Sequence, residues 1–235
     1  MDIIRRSVAK IKHWARTKPM VHILSDSHGE AFKHIDWNTF NLQPSYCIVQ
    51  GATASGLANP NSQTKALPIF KNYLNTRVKI KDTIIFQLGE IDCGFTIWLR
   101  AEKKELNISD QLEETIKNYS SLLEFAKFKT TKPIIITTAI PPTIEDDQDF
   151  GEIANLRKKV KATQLERTKL TQSFNQRMNE ICKQQTYAFI DLGKTLINPT
   201  SRIVKEEYKN DNPLDHHLES NKLAKLLQCE LSKIL

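Results

Sequence analysis

Five short apolar runs, at residues 20–24, 46–50, 83–88, 134–139 and 187–191, are rich in Ile, Val, Phe and Tyr, and long amphipathic or polar stretches separate them. Runs of this length and composition read as strands. Strands alternating with helices imply a parallel sheet covered on both faces, because parallel neighbours need long crossover connections. The helical candidates fall between the runs. Asp110 with Glu113 can cap a helix whose Leu112, Ile116, Tyr119, Leu123 and Ala126 share one face. Residues 152–183 make a long charged helical stretch with a break expected near Lys169, and Leu223, Leu227, Leu231 and Ile234 mark a final helix. The acidic cluster 145–149 reads as a solvated loop. At 235 residues the chain suits a single α/β domain over 19–235, preceded by a distinct segment over 1–18.

That segment holds Arg5, Arg6, Lys10, Lys12, Arg16 and Lys18 against Asp2 alone, so most of the net charge of +7 lies there. Ile4, Val8, Ile11 and Ala15 recur at helical spacing, which predicts a basic amphipathic helix. Such a helix packs its apolar stripe on the domain, or makes weak contact with an acidic surface or membrane. The remaining body is near neutral, which argues against a nucleic-acid partner. No run reaches the roughly 18 apolar residues of a membrane span, and no secretion signal is evident, so a cytoplasmic setting is expected. Cys47, Cys93, Cys182 and Cys229 are scattered, without the spacing of a zinc site or a disulfide framework.

In open parallel sheets the ligand sits beyond the carboxyl ends of the strands. Those ends carry Ser25-Asp26-Ser27-His28-Gly29 after the first run, Gly51 to Gly56 after the second, and Gly89-Glu90-Ile91-Asp92-Cys93-Gly94 after the third. A late loop, Asp211-Asn212-Pro213-Leu214-Asp215-His216-His217-Leu218, precedes the last helix. Two chemistries compete for these residues. Ser27 is a nucleophile on a strand-to-helix turn if a histidine accepts its proton and a carboxylate orients that histidine. Asp26 and His28 are instead an Asp-x-His metal pair if other ligands join them, as in a metal-dependent phosphoesterase.

Taken in order, the blocks resemble the SGNH/GDSL hydrolase superfamily from about Met20 onward. Ser25-Asp26-Ser27-His28 resembles its Gly-Asp-Ser block, Gly51 its oxyanion glycine, and Gly89-Glu90-Ile91-Asp92 its Gly-x-Asn-Asp block in a bacterial-type Gly-Glu-Ile-Asp form. Asp215-His216-His217-Leu218 is similar to its closing Asp-x-x-His. The resemblance implies a flavodoxin-like three-layer sandwich and an esterase or acyltransferase working through an acyl-Ser27 intermediate. It implies His217 as base, with Asp215 (or Asp211) behind it, and the N–H groups of Ser27 and Gly51 as oxyanion donors. The implied substrate is a small-molecule or carbohydrate ester, an O-acetyl sugar or polysaccharide among them, with no cofactor and no metal.

Departures from the pattern locate the open questions. Ser25 stands in place of a glycine. Ile91 replaces an asparagine donor and cannot donate, which leaves Asn59 as a candidate third donor or a hole with two donors. Asp215 to His217 is one residue shorter than the usual spacing, so His216 competes with His217. Glu90 is read as orienting substrate or tying loops, and Asp92 as capping a helix or binding loop N–H groups. Cys93 reads as packing and His22 as a satisfied core histidine. The lost asparagine and the short spacing also admit a non-catalytic carbohydrate-binding protein on the same fold.

Overall fold

The computed structural model describes residues 18–146 and 160–235. Its centre is a five-stranded, wholly parallel sheet of β1 (Met20–Ser25), β2 (Gln43–Ile48), β3 (Thr83–Gln87), β4 (Ile135–Thr137) and β5 (Ala188–Ile190), in the order β2-β1-β3-β4-β5. Ile23 stands opposite Tyr46 on one side and Ile85 on the other, which sets the register of the first three strands. The order turns outward in both directions from β1 and β3, and this opens a crevice at their carboxyl ends.

Side chains alternate across the sheet and sort into two cores. On one face Leu24, Ile84, Phe86 and Ile136 pack with Phe70 and Leu74 of α1 (Ala66–Arg77), Tyr119 and Leu123, and Phe174 and Met178. On the other, Val21, Ile23, Ile85, Ile135 and Ile190 meet Phe32, Leu223, Leu227 and Leu231. The other α-helices of eight or more described residues are α2 (Ile97–Lys104), α3 (Ile108–Lys127), α4 (Gln164–Gln185) and α5 (Ser220–Leu231). A 3₁₀ helix at Ser27–His34 shares the second face with α5.

Several boundaries differ from the sequence reading. β2 begins at Gln43, because the Gln43 N–H bonds the Pro19 carbonyl and the pairing starts at Met20. β4 stops at Thr137, because the Asn175 side chain takes over both polar groups of Ala139, accepting its N–H at 2.8 Å and donating to its carbonyl at 3.0 Å. Asn107, not Asp110, caps α3, accepting the Ser109 N–H at 2.8 Å, while the expected apolar face is buried. α4 runs unbroken through Lys169 from a Thr163–Glu166 capping box, and residues 152–159 lie outside the described residues. Of the 145–149 cluster, Glu145 pairs with Lys209 and Asp146 accepts the Gln164 N–H, so these two acids tie elements together. The predicted helix over 1–18 falls, but for Lys18, outside the described residues.

His22 is a satisfied core histidine. Its Nδ1 lies 3.0 Å from the Tyr73 hydroxyl and its Nε2 3.0 Å from Asp82 Oδ2.

Candidate active site

The site is built where β1 ends. Asp26 caps the 3₁₀ helix, its Oδ1 accepting the His28 N–H at 2.9 Å and its carbonyl the Gly29 N–H at 3.1 Å. Ser27 is therefore the first helical residue, with its N–H at the positive end of the helix dipole. Ser25 is ordinary strand, so no glycine conformation is needed there. The small residue is needed one turn later. A Cβ on Gly29 would lie 2.5 Å from Ser25 Cβ, so only glycine lets the helix fold back over the strand end.

Asp215 and His217 are paired within one loop. Asp215 Oδ1 accepts both the His217 backbone N–H at 2.9 Å and the ring Nδ1–H at 2.7 Å, while Asn210 donates to Oδ2 at 3.0 Å. Burial alone would raise the Asp215 pKa, but the bonds from His217 hold it below the usual carboxylate range. With Nδ1 donating to the carboxylate, Nε2 is the nitrogen with a basic lone pair. It is buried and has no hydrogen-bond partner among the described residues.

His217 shares a cavity of about 170 Å³ with Ser27, His28, Gln50, Asp215 and Leu218. His216 instead lines a neighbouring cavity of about 290 Å³ with Thr143, Lys209 and Asp211, and its carbonyl accepts the Thr143 hydroxyl at 2.5 Å. Of the two histidines, His217 is the one that faces Ser27's cavity. Of the two aspartates, Asp215 rather than Asp211 holds it. His28, buried and 3.3 Å from Asp26 Oδ1, packs its ring 4.7 Å from that of His217. Sequence reasoning overlooked Gln50, whose only signal was its place at the end of the second apolar run.

The loop after β2 is organised from the third block. Asp92, fully buried, accepts the N–H groups of Ala54 at 2.6 Å and Ser55 at 2.9 Å, so it clamps the loop after β2 at the start of the 3₁₀ turn Ser55–Ala58. Burial pushes its pKa up, against the pull of those same bonds. Gly51, at φ +72°, makes the turn that leads into this loop. Asn59 is exposed at its far end, with Oδ1 accepting the Asn61 N–H at 3.0 Å, and it does not line the Ser27 cavity. Glu90 is buried, and Gly94 makes room for it: a Cβ there would lie 3.2 Å from Glu90 Oε1. Gly89 is required twice over, by φ +119° and by Phe174, which a Cβ would approach to 2.6 Å. Cys93 is fully buried, and that burial pushes its thiol well above its ordinary pKa, as fits a packing residue.

No family model matches the chain, and no curated protein does. Solved structures do. A candidate acylhydrolase from Bacteroides fragilis NCTC 9343 superposes with a TM-score of 0.61 at 16% identity, over 92% of this chain and 88% of its own. A GDSL-like lipase from Bacteroides thetaiotaomicron VPI-5482 gives 0.61 at 16% identity, over 97% and 95%. A candidate lipolytic protein of the G-D-S-L family from Desulfitobacterium hafniense DCB-2 gives 0.56 at 12% identity, over 93% and 100%. The fold is that of the SGNH/GDSL hydrolases.

On this SGNH fold the metal-pair reading finds little support. Asp26 and His28 bond each other, and among the described residues the one convergent group of three ligand-type side chains is Asp215, His216 and His217. Neither Asp26, His28 nor Glu90 belongs to it.

Proposed function

We propose that the chain is an SGNH-type ester hydrolase or acyltransferase in which Ser27 is the nucleophile, His217 the base and Asp215 its orienting carboxylate. The observation that carries this reading is the Asp215–His217 bond of 2.7 Å, which leaves a buried, unpartnered Nε2 at the cavity shared with Ser27. Substrate brings the Ser27 hydroxyl within reach of Nε2, since such bonds tighten only in the Michaelis complex. Ser27 Oγ then attacks the ester carbonyl as Nε2 takes its proton. The oxyanion receives the N–H groups of Ser27 and Gly51, and collapse expels the alcohol with the proton from His217. Water, activated by the same nitrogen, releases the acid and restores Ser27. An acceptor alcohol in its place makes the reaction a transfer.

The Ile91 side chain has no donor to offer and Asn59 stands exposed outside the Ser27 cavity, which favours a hole of two backbone donors. The small cavity favours a short acyl group, and its mixed polar lining favours a polar acceptor such as a sugar hydroxyl over a long lipid chain. A fluorophosphonate probe, read by intact mass, tests the mechanism. The expected result is one adduct, lost in Ser27→Ala and indifferent to chelator. Folded protein that takes no label sinks the serine mechanism.

A further inference from the structure

The sheet's other end carries a surface that this chemistry does not use. Because all strands run the same way, the segments entering β3 and β4 lie side by side at the edge remote from Ser27. Thr131 donates to the Ile80 carbonyl through its N–H at 2.7 Å and its hydroxyl at 3.0 Å, and the Thr130 hydroxyl bonds the Asp82 carbonyl at 2.6 Å. Residues 77–82 and 127–133 are thereby one piece. Two large apolar side chains stand in solvent on it: Phe128 is 82% exposed and Ile80 is 55% exposed.

The same two segments hold Arg77, Lys79, Lys81, Lys127, Lys129 and Lys132, with Asp82 as their sole acid. That carboxylate is turned inward, bonded to His22 Nε2, to the Lys79 N–H at 2.8 Å and to the Met20 N–H at 3.3 Å. Among the described residues, none of the five lysines is in an ion pair, and Lys129 instead lies 4.7 Å from the centre of the Phe125 ring. Exposed apolar tips on segments this rich in cations match a bilayer with acidic headgroups, where phosphates meet the lysines and the tips enter the acyl boundary. Ile80 offers no flat face on which a base could stack. A second copy would set cations against cations.

We propose that this face docks on an anionic lipid surface, with Phe128 and Ile80 inserted and the lysines at the phosphates. Residues 1–17 are also basic, so the test must separate the two. The full chain is sedimented with vesicles of phosphatidylcholine, with and without phosphatidylglycerol. The expected result is binding only where phosphatidylglycerol is present, weakened by about tenfold or more in Ile80→Ser/Phe128→Ser and by a similar factor in Lys79→Glu/Lys132→Glu. Melting curves stay unchanged, because all four side chains are in solvent. Absent binding, equal binding to pure phosphatidylcholine, or full affinity retained by either double variant overturns the proposal; the last result would assign binding to the N-terminal segment.

Discussion

Asp215 Oδ1 serves both the backbone and the ring of His217, so the short Asp-x-His spacing fixes the bend of the loop and the tilt of the imidazole together. Under the proposed mechanism, Asp215→Asn should slow probe labelling by about 10²–10⁴, since a misoriented base loses its proton-transfer role. His216→Ala should stay within about threefold, because it removes no such step. The pH dependence follows from the lowered Asp215 pKa. A carboxyl whose folded value is depressed stays ionised above its ordinary value of about 4 and loses its effect as pH falls through the folded value. The ratio of wild-type to Asp215→Asn labelling rates should therefore shrink as pH falls below about 4.

At the scale of elements, close approaches govern what can change. Gly29→Ala should destabilise by about 1–3 kcal/mol through its clash with Ser25. Ser25→Gly/Gly29→Ala should recover most of that loss, as read by denaturant unfolding. Asp82 joins the start of β1 to the approach to β3, and its pKa is lowered: burial opposes this, but the bonds from His22 and Lys79 prevail. Asp82→Ala should cost about 2–3 kcal/mol at neutral pH. That difference should diminish as pH drops below about 4, where the wild-type carboxylate also protonates. Such contacts explain what the sequence concealed. β1 and β3 were legible because they are central and mostly apolar, whereas Gln43, Pro44 and Ser45 open an edge strand with no apolar signal and take their register from β1. Ser27, Asp215 and His217 were legible as residue types at strand and helix ends. The shared oxygen, Gly29 against Ser25 and Gly89 against Phe174 were not, because each is a contact through space that no spacing encodes.

For the whole molecule, the proposed docking face and the Ser27 cavity should answer to different solution conditions. Raising salt from 0.1 to 1 M shortens the Debye length from about 10 Å to about 3 Å. Vesicle binding should be largely lost over that range, while the rate of Ser27 labelling holds. A sheet of parallel strands gives the molecule two unlike poles, about 20 Å apart for the six residues of β1. Loops at one pole can be lengthened, recharged or stripped without disturbing groups held at the other. Under the two proposals, where the molecule docks and what it cleaves are separately adjustable traits.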